Sequence, residues 1–168
     1  ITALYKGMLK SPYTSTIDKA LYELLITNFT LWGYEDNARR RDVPDKDIAN
    51  LKRNIDKANQ KRHDLIDLID ALLKEDVEKK VKAIDTSLPL NSETPGSIFD
   101  RLTVLALRTH SLEKEIRRKD ADKKHIERCS RILHEVNERS LDLLKCLEEL
   151  LSDYYSGRKR QFAYLLFK

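Results

Sequence analysis

Asn91-Ser92-Glu93-Thr94-Pro95-Gly96-Ser97-Ile98-Phe99-Asp100-Arg101 holds the sharpest structural boundary in this chain. Thr94 is a strong N-cap, and Pro95 suits the first helical position, where its missing N–H costs nothing. Gly96 opens the first turn without a side chain. Ile98, Phe99, Leu102 and Leu105 then follow at helical spacing, which predicts a helix from Pro95 to about Lys119. A helix N-terminus favours anions, so Thr94, Ser97, Asp100 and Arg101 are candidate ligand contacts as well as caps.

Upstream, Ile17, Leu21, Leu24, Asn28, Leu31 and Glu35 alternate steps of four and three, with Ala20, Leu25, Phe29 and Trp32 widening the stripe. This first helix is expected to end near Arg39-Arg40-Arg41, where cations complement the helix dipole. Val43-Pro44-Asp45 breaks the chain. Ile48, Leu51, Ile55, Ala58, Arg62, Leu65, Ile69 and Leu72 then form the most regular stripe, ending after Leu73 or later if Val77, Val81 and Ile84 continue it. Ser87–Ser92, with Leu88-Pro89-Leu90 inside, reads as an extended connection. The helix after Pro95 is apolar on most sides and is expected to be central. Asp120 or Asp122 caps a last helix with a seam through Ile126, Cys129, Leu133, Val136, Ser140, Leu143, Leu147, Leu150 and Tyr154. Gly157 ends it at the C′ position. Arg158-Lys159-Arg160 and the aromatics Phe162, Tyr164 and Phe167 follow. The pattern predicts an all-α fold: an antiparallel four-helix bundle with a long connection between helices two and three, as a single helical domain over residues 1–168.

Composition agrees. The chain has 168 residues, 40% hydrophobic and 36% charged, and only four Gly and four Pro, too few for a hairpin-rich fold. A net charge of +4 over 32 basic and 28 acidic residues argues against a dedicated nucleic-acid binder. Cys129 and Cys146 fall on one predicted helix, roughly 25 Å apart, so they are expected to be free thiols. With no apolar run of about 20 residues, no membrane span is expected, and a cytoplasmic location is.

Three polar residues, Asn28, Glu35 and Arg62, interrupt otherwise apolar stripes, and a buried charge needs a partner. In a tight hairpin Glu35 and Arg62 lie about 16 Å apart along the axis, at 1.5 Å per residue, so Arg62 is expected to reach Asn28, with Asn59 beside it. If Glu75–Glu93 runs back along the bundle, the helix start at Thr94 approaches Glu35, Asp36 and Arg62. That arrangement gathers the polar residues into one pocket for a small anionic ligand, with Asp64 at its edge. If the connection packs the other way, they are caps and scattered core pairs.

Catalytic templates fit poorly. Glu35-Asp36 with Asp64, Asp67 and Asp70 lacks the paired Glu-x-x-Glu and Glu-x-x-Asp pattern of helical magnesium-dependent pyrophosphohydrolases. His63, His110, His125 and His134 form no His-x-x-x-His pair, and no phosphate loop or nucleophile elbow is present. No metal site or cofactor is expected on this reading.

Four blocks, taken together and in order, carry a resemblance. They are Leu31-Trp32-x-x-Glu35-Asp36-x-x-Arg39, Asn59-x-x-Arg62-x-Asp64, Glu93-Thr94-Pro95-Gly96-Ser97-x-x-Asp100-Arg101-Leu102 and Gly157-Arg158-Lys159. From about Leu21 to Lys168 the chain resembles an uncharacterised bacterial family catalogued as domain of unknown function 4254. The resemblance implies a helical, intracellular protein encoded near glycosyltransferases of lipopolysaccharide assembly, with no established catalytic residues. The function expected is therefore an accessory role in cell-envelope glycan synthesis, through a partner such as a glycosyltransferase or through a small anionic ligand. One alternative is a magnesium-dependent enzyme acting on a nucleotide- or phosphate-linked sugar, using Glu35, Asp36 or Asp64. Another is a structural homodimer joined through the last helix and tail.

Overall fold

The structure is a computed structural model and describes residues 15–81, 85 and 87–161. Among them lie four helices and no strand: α1 (Thr16–Ala38), α2 (Asp45–Lys80), α3 (Pro95–Ile116) and α4 (Lys123–Tyr155). Each boundary has a local cause. The Ser15 hydroxyl accepts from the Asp18 N–H at 3.1 Å, and the Asp122 carboxylate from the His125 N–H at 2.8 Å. Asp45 and Asp47 stand in the first turn of α2 and Lys79 and Lys80 in its last, both favourable to the dipole. Thr94 and Ser97 form a reciprocal capping box at the start of α3. Gly157, at φ 68°, closes α4 in a Schellman motif, with Arg158 N–H on Asp153 O at 2.9 Å and Gly157 N–H on Tyr154 O at 3.1 Å.

Two helices stop short of their expected ends: α1 at Ala38, with Arg39 as its C-cap, and α3 at Ile116. α2 does the opposite. It runs past Leu73 because Leu73 and Val77 both find cover. Ile84, Phe162, Tyr164 and Phe167 lie outside the described residues.

Cross-helix bonds set the topology. Lys61 meets Glu23 at 3.0 Å across the α1/α2 hairpin. The Gly96 N–H donates to Asp70 Oδ1 at 2.7 Å, while Arg62 reaches Asp100. Advancing along α3 thus retreats along α2, and the two are antiparallel. α1 and α3, each antiparallel to α2, therefore run parallel, and Asn28 bonds Thr103 between them. His125 against Glu115 at 3.1 Å turns α4 back along α3, and the Tyr155 hydroxyl ties its far end to Asp76. The order is up-down-up-down, and the helices pack as a four-helix bundle. α2 overshoots the start of α3 by ten residues, roughly 15 Å of helix, and the connection returns that distance. Arg160 fastens it, with its N–H on Pro89 O and its Nε on Leu88 O, both at 3.2 Å.

The apolar core sits in two linked clusters. Ala20, Leu24, Leu65, Ile66, Ile69 and Leu73 join α1 to α2. Val77, Ile98, Leu147, Leu150 and Tyr154 join the far end of α2 to α3 and α4, and Phe99 and Leu151 touch both. Leu24 and Ile69 are wholly buried, each worth about 1.5–3 kcal/mol relative to exposure. α3 contacts the three other helices, as α2 also does, and on it Ala106 is exposed and Leu105 only half-buried. Toward the C-terminal ends of α1 and α3 this packing gives way to cavities.

Candidate functional site

Asp100 is the organising group of that end. It rises from the second turn of α3, and its side chain is 6% exposed against 31% for Arg62. Arg62 grips it with two prongs, Nε to Oδ1 at 2.7 Å and Nη2 to Oδ2 at 2.5 Å. Asn28 donates to the same Oδ1 at 2.9 Å and to the Thr103 hydroxyl at 2.7 Å, and that hydroxyl donates to Asp100 O at 2.7 Å. The carboxylate beside it raises the Arg62 pKa above the ordinary guanidinium value. Arg62 and Asn28 therefore meet through Asp100. The direct contact expected from hairpin register is corrected, because α3 inserts its own side chain between α1 and α2.

This network is the floor of a cleft in two compartments that share Trp32, Asp36 and Leu107. The inner one, about 260 Å³, lies between α1, α2 and α3 and is lined by Asn28, Glu35, Arg39, Asn59 and Arg62. The outer one, about 530 Å³, lies between α1 and α3, is about as open to solvent as the first, and is lined by Tyr34, Asn37, His110, Ser111 and Lys114. The larger volume falls within the range of small-molecule sites, roughly 300–1,000 Å³, and the smaller lies below it. Trp32 stands between them as an aromatic wall.

The sequence candidates divide. Glu35, Asp36, Asn59 and Arg62 line the inner compartment, with Asp100 behind Arg62. Thr94 and Ser97 are spent on the capping box beside Asp70. Arg101 turns outward to Glu93, and Asp64 accepts from Gln60 on an exposed face. Trp32, Arg39, His110 and Lys114 line the cleft and were not among the sequence candidates. Asn28 was visible as a polar break in an apolar stripe, whereas the others carry no local signal.

A second buried carboxylate, Asp70, is 2% exposed and accepts from the Gly96 N–H across the helix interface. Burial pushes its pKa up from the ordinary 3.8, the Thr94 hydroxyl and Gly96 N–H pull the other way, and the Asp67 charge adds to the rise. Tyr154, which feels the Asp70 charge, is itself pushed up to about 12, chiefly by burial. Because its folded pKa lies above the unfolded one, Asp70 binds its proton more tightly in the native state. Its contribution to stability thus improves as pH falls through the folded pKa toward 3.8, and ionisation above it is a net cost. Asp70→Asn keeps an acceptor for the Gly96 N–H. It is expected to stay within about 1 kcal/mol of wild type at neutral pH and to lack that acid-side gain. Urea unfolding from pH 7 to pH 4 checks this, and parallel pH profiles for the two proteins would disprove it.

Most other chemistry-bearing groups are occupied, although His63 Nδ1 is buried without a partner among the described residues. Cys129 and Cys146 are free, as expected, and Cys129 is buried against His125. His125 meets both Cys129 and Glu115 through Nε2, a geometry that cannot relay a proton between them. Of the two basic clusters, Arg40 is held by Asp42, and Arg158 and Lys159 by Asp153. Among the described residues no three His, Cys, Asp or Glu side chains converge as a metal would need, and Glu35 and Asp36, successive on a helix, diverge by about 100°. No helix of the described residues is long and apolar enough to cross a membrane. Residues 18–162 match the family model described as protein of unknown function (DUF4254), so the chain belongs to that family. No curated protein and no solved structure matches it.

Proposed function

We propose that this DUF4254 protein is a cytoplasmic binding module for a small phosphate-linked sugar, taken into the cleft beside Trp32, and that it serves cell-envelope glycan synthesis as an accessory to a partner enzyme. The observation carrying the binding role is the side-chain set of the inner compartment. A guanidinium pinned in place by a buried aspartate, a second arginine, two carboxylates and two amides surround a space beside an aromatic wall. Arg62 is held rigid before any ligand arrives, which lowers the ordering cost of binding. The glycan setting rests on the family resemblance and selects the ligands to try.

Trp32 is the single tryptophan of the chain, so its emission reports the cleft without a label. Titration with the 1-phosphates of glucose, galactose and mannose, and with their nucleotide-linked forms, is expected to give a saturable change for at least one of them. Calorimetry should return the same dissociation constant. If no compound in the set alters the emission or the melting temperature, the binding role is wrong.

A further inference from the structure

We infer that α4 is the interface of a homodimer: two copies of the chain cross their α4 helices antiparallel, about a two-fold axis between Leu141 and Leu144. The inference is independent of the ligand, because α4 supplies none of the described lining residues of either compartment.

The helix carries two seams, one residue apart in sequence. Cys129, Val136, Leu147, Leu150 and Tyr154 belong to the inward seam and are buried. One residue further on, Ser130, His134, Asn137, Leu141 and Leu144 repeat the same alternation of fours and threes, and all five are exposed. Leu141 is 68% exposed and Leu144 45%. The stripe holds no Lys, Arg, Asp or Glu from Ser130 to Leu144, whereas the residues on its solvent side, Arg131, Glu138 and Lys145, are all charged. Farther along, the same stripe is engaged within the chain: Leu151 packs against the α1/α2 cluster, and the Tyr155 hydroxyl donates to Asp76. Two bare leucines thus stand in the open part of a second coiled-coil-like seam.

What fits this stripe is the same stripe reversed. With the axis between Leu141 and Leu144, each Leu141 lies on Leu144 of the second copy. Asn137 falls opposite Glu148, an amide donor against a carboxylate. On the solvent side, reversal sets Glu138 of one copy beside Lys145 of the other, and the two-fold axis makes that pair twice. Both side chains are free to turn there. Lys145 stands 4.0 Å from Glu149 and Glu138 3.5 Å from His134, exposed contacts that contribute little. Charge along the whole helix has the same sense. Lys123–Arg139 holds five basic and three acidic residues, and Ser140–Tyr155 one basic and four acidic. An antiparallel crossing lays the basic half toward the acidic half, whereas a parallel one sets like residues level with like.

The test is light scattering on the full chain at low salt, from about 1 to about 200 µM. The contact is one helix wide, at or below the small end of specific interfaces (about 1,200 Å² in total), so a reversible dimer with Kd on the order of tens of micromolar is expected. Leu141→Glu alters an exposed position, and circular dichroism checks that it folds. It removes two leucines from the contact and is expected to weaken the dimer about a hundredfold. Glu138→Lys and Lys145→Glu each set like charges together at two places and are expected to weaken it about tenfold. Mixed in equal amounts, those two variants are expected to regain wild-type affinity as a heterodimer, because each supplies the charge the other lacks. A wild-type monomer throughout the range, or a dimer indifferent to Leu141→Glu, overturns the proposal. So do charge variants that fail to weaken the dimer alone or fail to recover on mixing.

Discussion

Replacing Gly96 with alanine is expected to cost about 3 kcal/mol of stability, the upper end of what overpacking a close contact brings. A Cβ there would lie 2.6 Å from Ile66 O and 2.9 Å from Asp70 Oδ2. The first obstacle is backbone of α2, which cannot swing aside as a flexible side chain would. Relief requires α3 to back away from α2, and that motion stretches the Gly96–Asp70 bond and loosens Ile98 in its cluster. For a chain of this size the loss corresponds to a fall of roughly 6–12 °C in melting temperature. Gly33→Ala is the internal control. Nothing stands within 4 Å of a Cβ at that position, so helix propensity alone acts and a gain of about 0.5–1 kcal/mol is expected. Thermal unfolding of the two variants side by side decides the matter. If Gly96→Ala is no less stable than Gly33→Ala, the close approach of α3 to α2 is misplaced.

Removing Asp100 is the second large effect. Asp100→Ala leaves Arg62 without its partner and takes one acceptor from the buried Asn28 amide. Breaking a fully buried pair costs about 3–5 kcal/mol, and Arg62, at 31% exposed, recovers part of its hydration, so about 3 kcal/mol is expected. The pair itself is worth much less than that. Converting Asp100→Leu together with Arg62→Met removes both charges and is expected to be less destabilising than Asp100→Ala alone. A double-mutant cycle by urea unfolding measures the difference, and a double variant worse than Asp100→Ala would show that Arg62 is not the group left stranded.

These two sites also mark how far sequence reasoning reaches. Gly96 was visible as a residue at a helix start, because Thr94, Pro95 and Ser97 around it compose a local capping signal that needs no other part of the chain. What it touches was not visible, because Ile66 and Asp70 are distant in sequence and nothing nearby encodes their approach. Asn28 and Arg62 could be flagged as polar breaks in apolar stripes, since periodicity is local. Their common partner could not. The stretch between α2 and α3 permits several registers, and closure entropy changes slowly with its length, so packing makes the choice.

By itself the sequence determined the four helices, the Thr94 cap, a cap at Asp120 or Asp122, and the Gly157 stop, because hydrogen bonds within a turn and a 3.6-residue repeat depend only on neighbours. Tertiary structure decided that α2 runs on to Lys80 and that Asp100 joins Arg62 to Asn28. It also decided that Arg101 and Asp64 turn to the surface, and that Trp32 stands between two cavities. Each of those depends on where one helix lies against another, which is set by the side chains that fill the space between them and not by the residues along either helix alone.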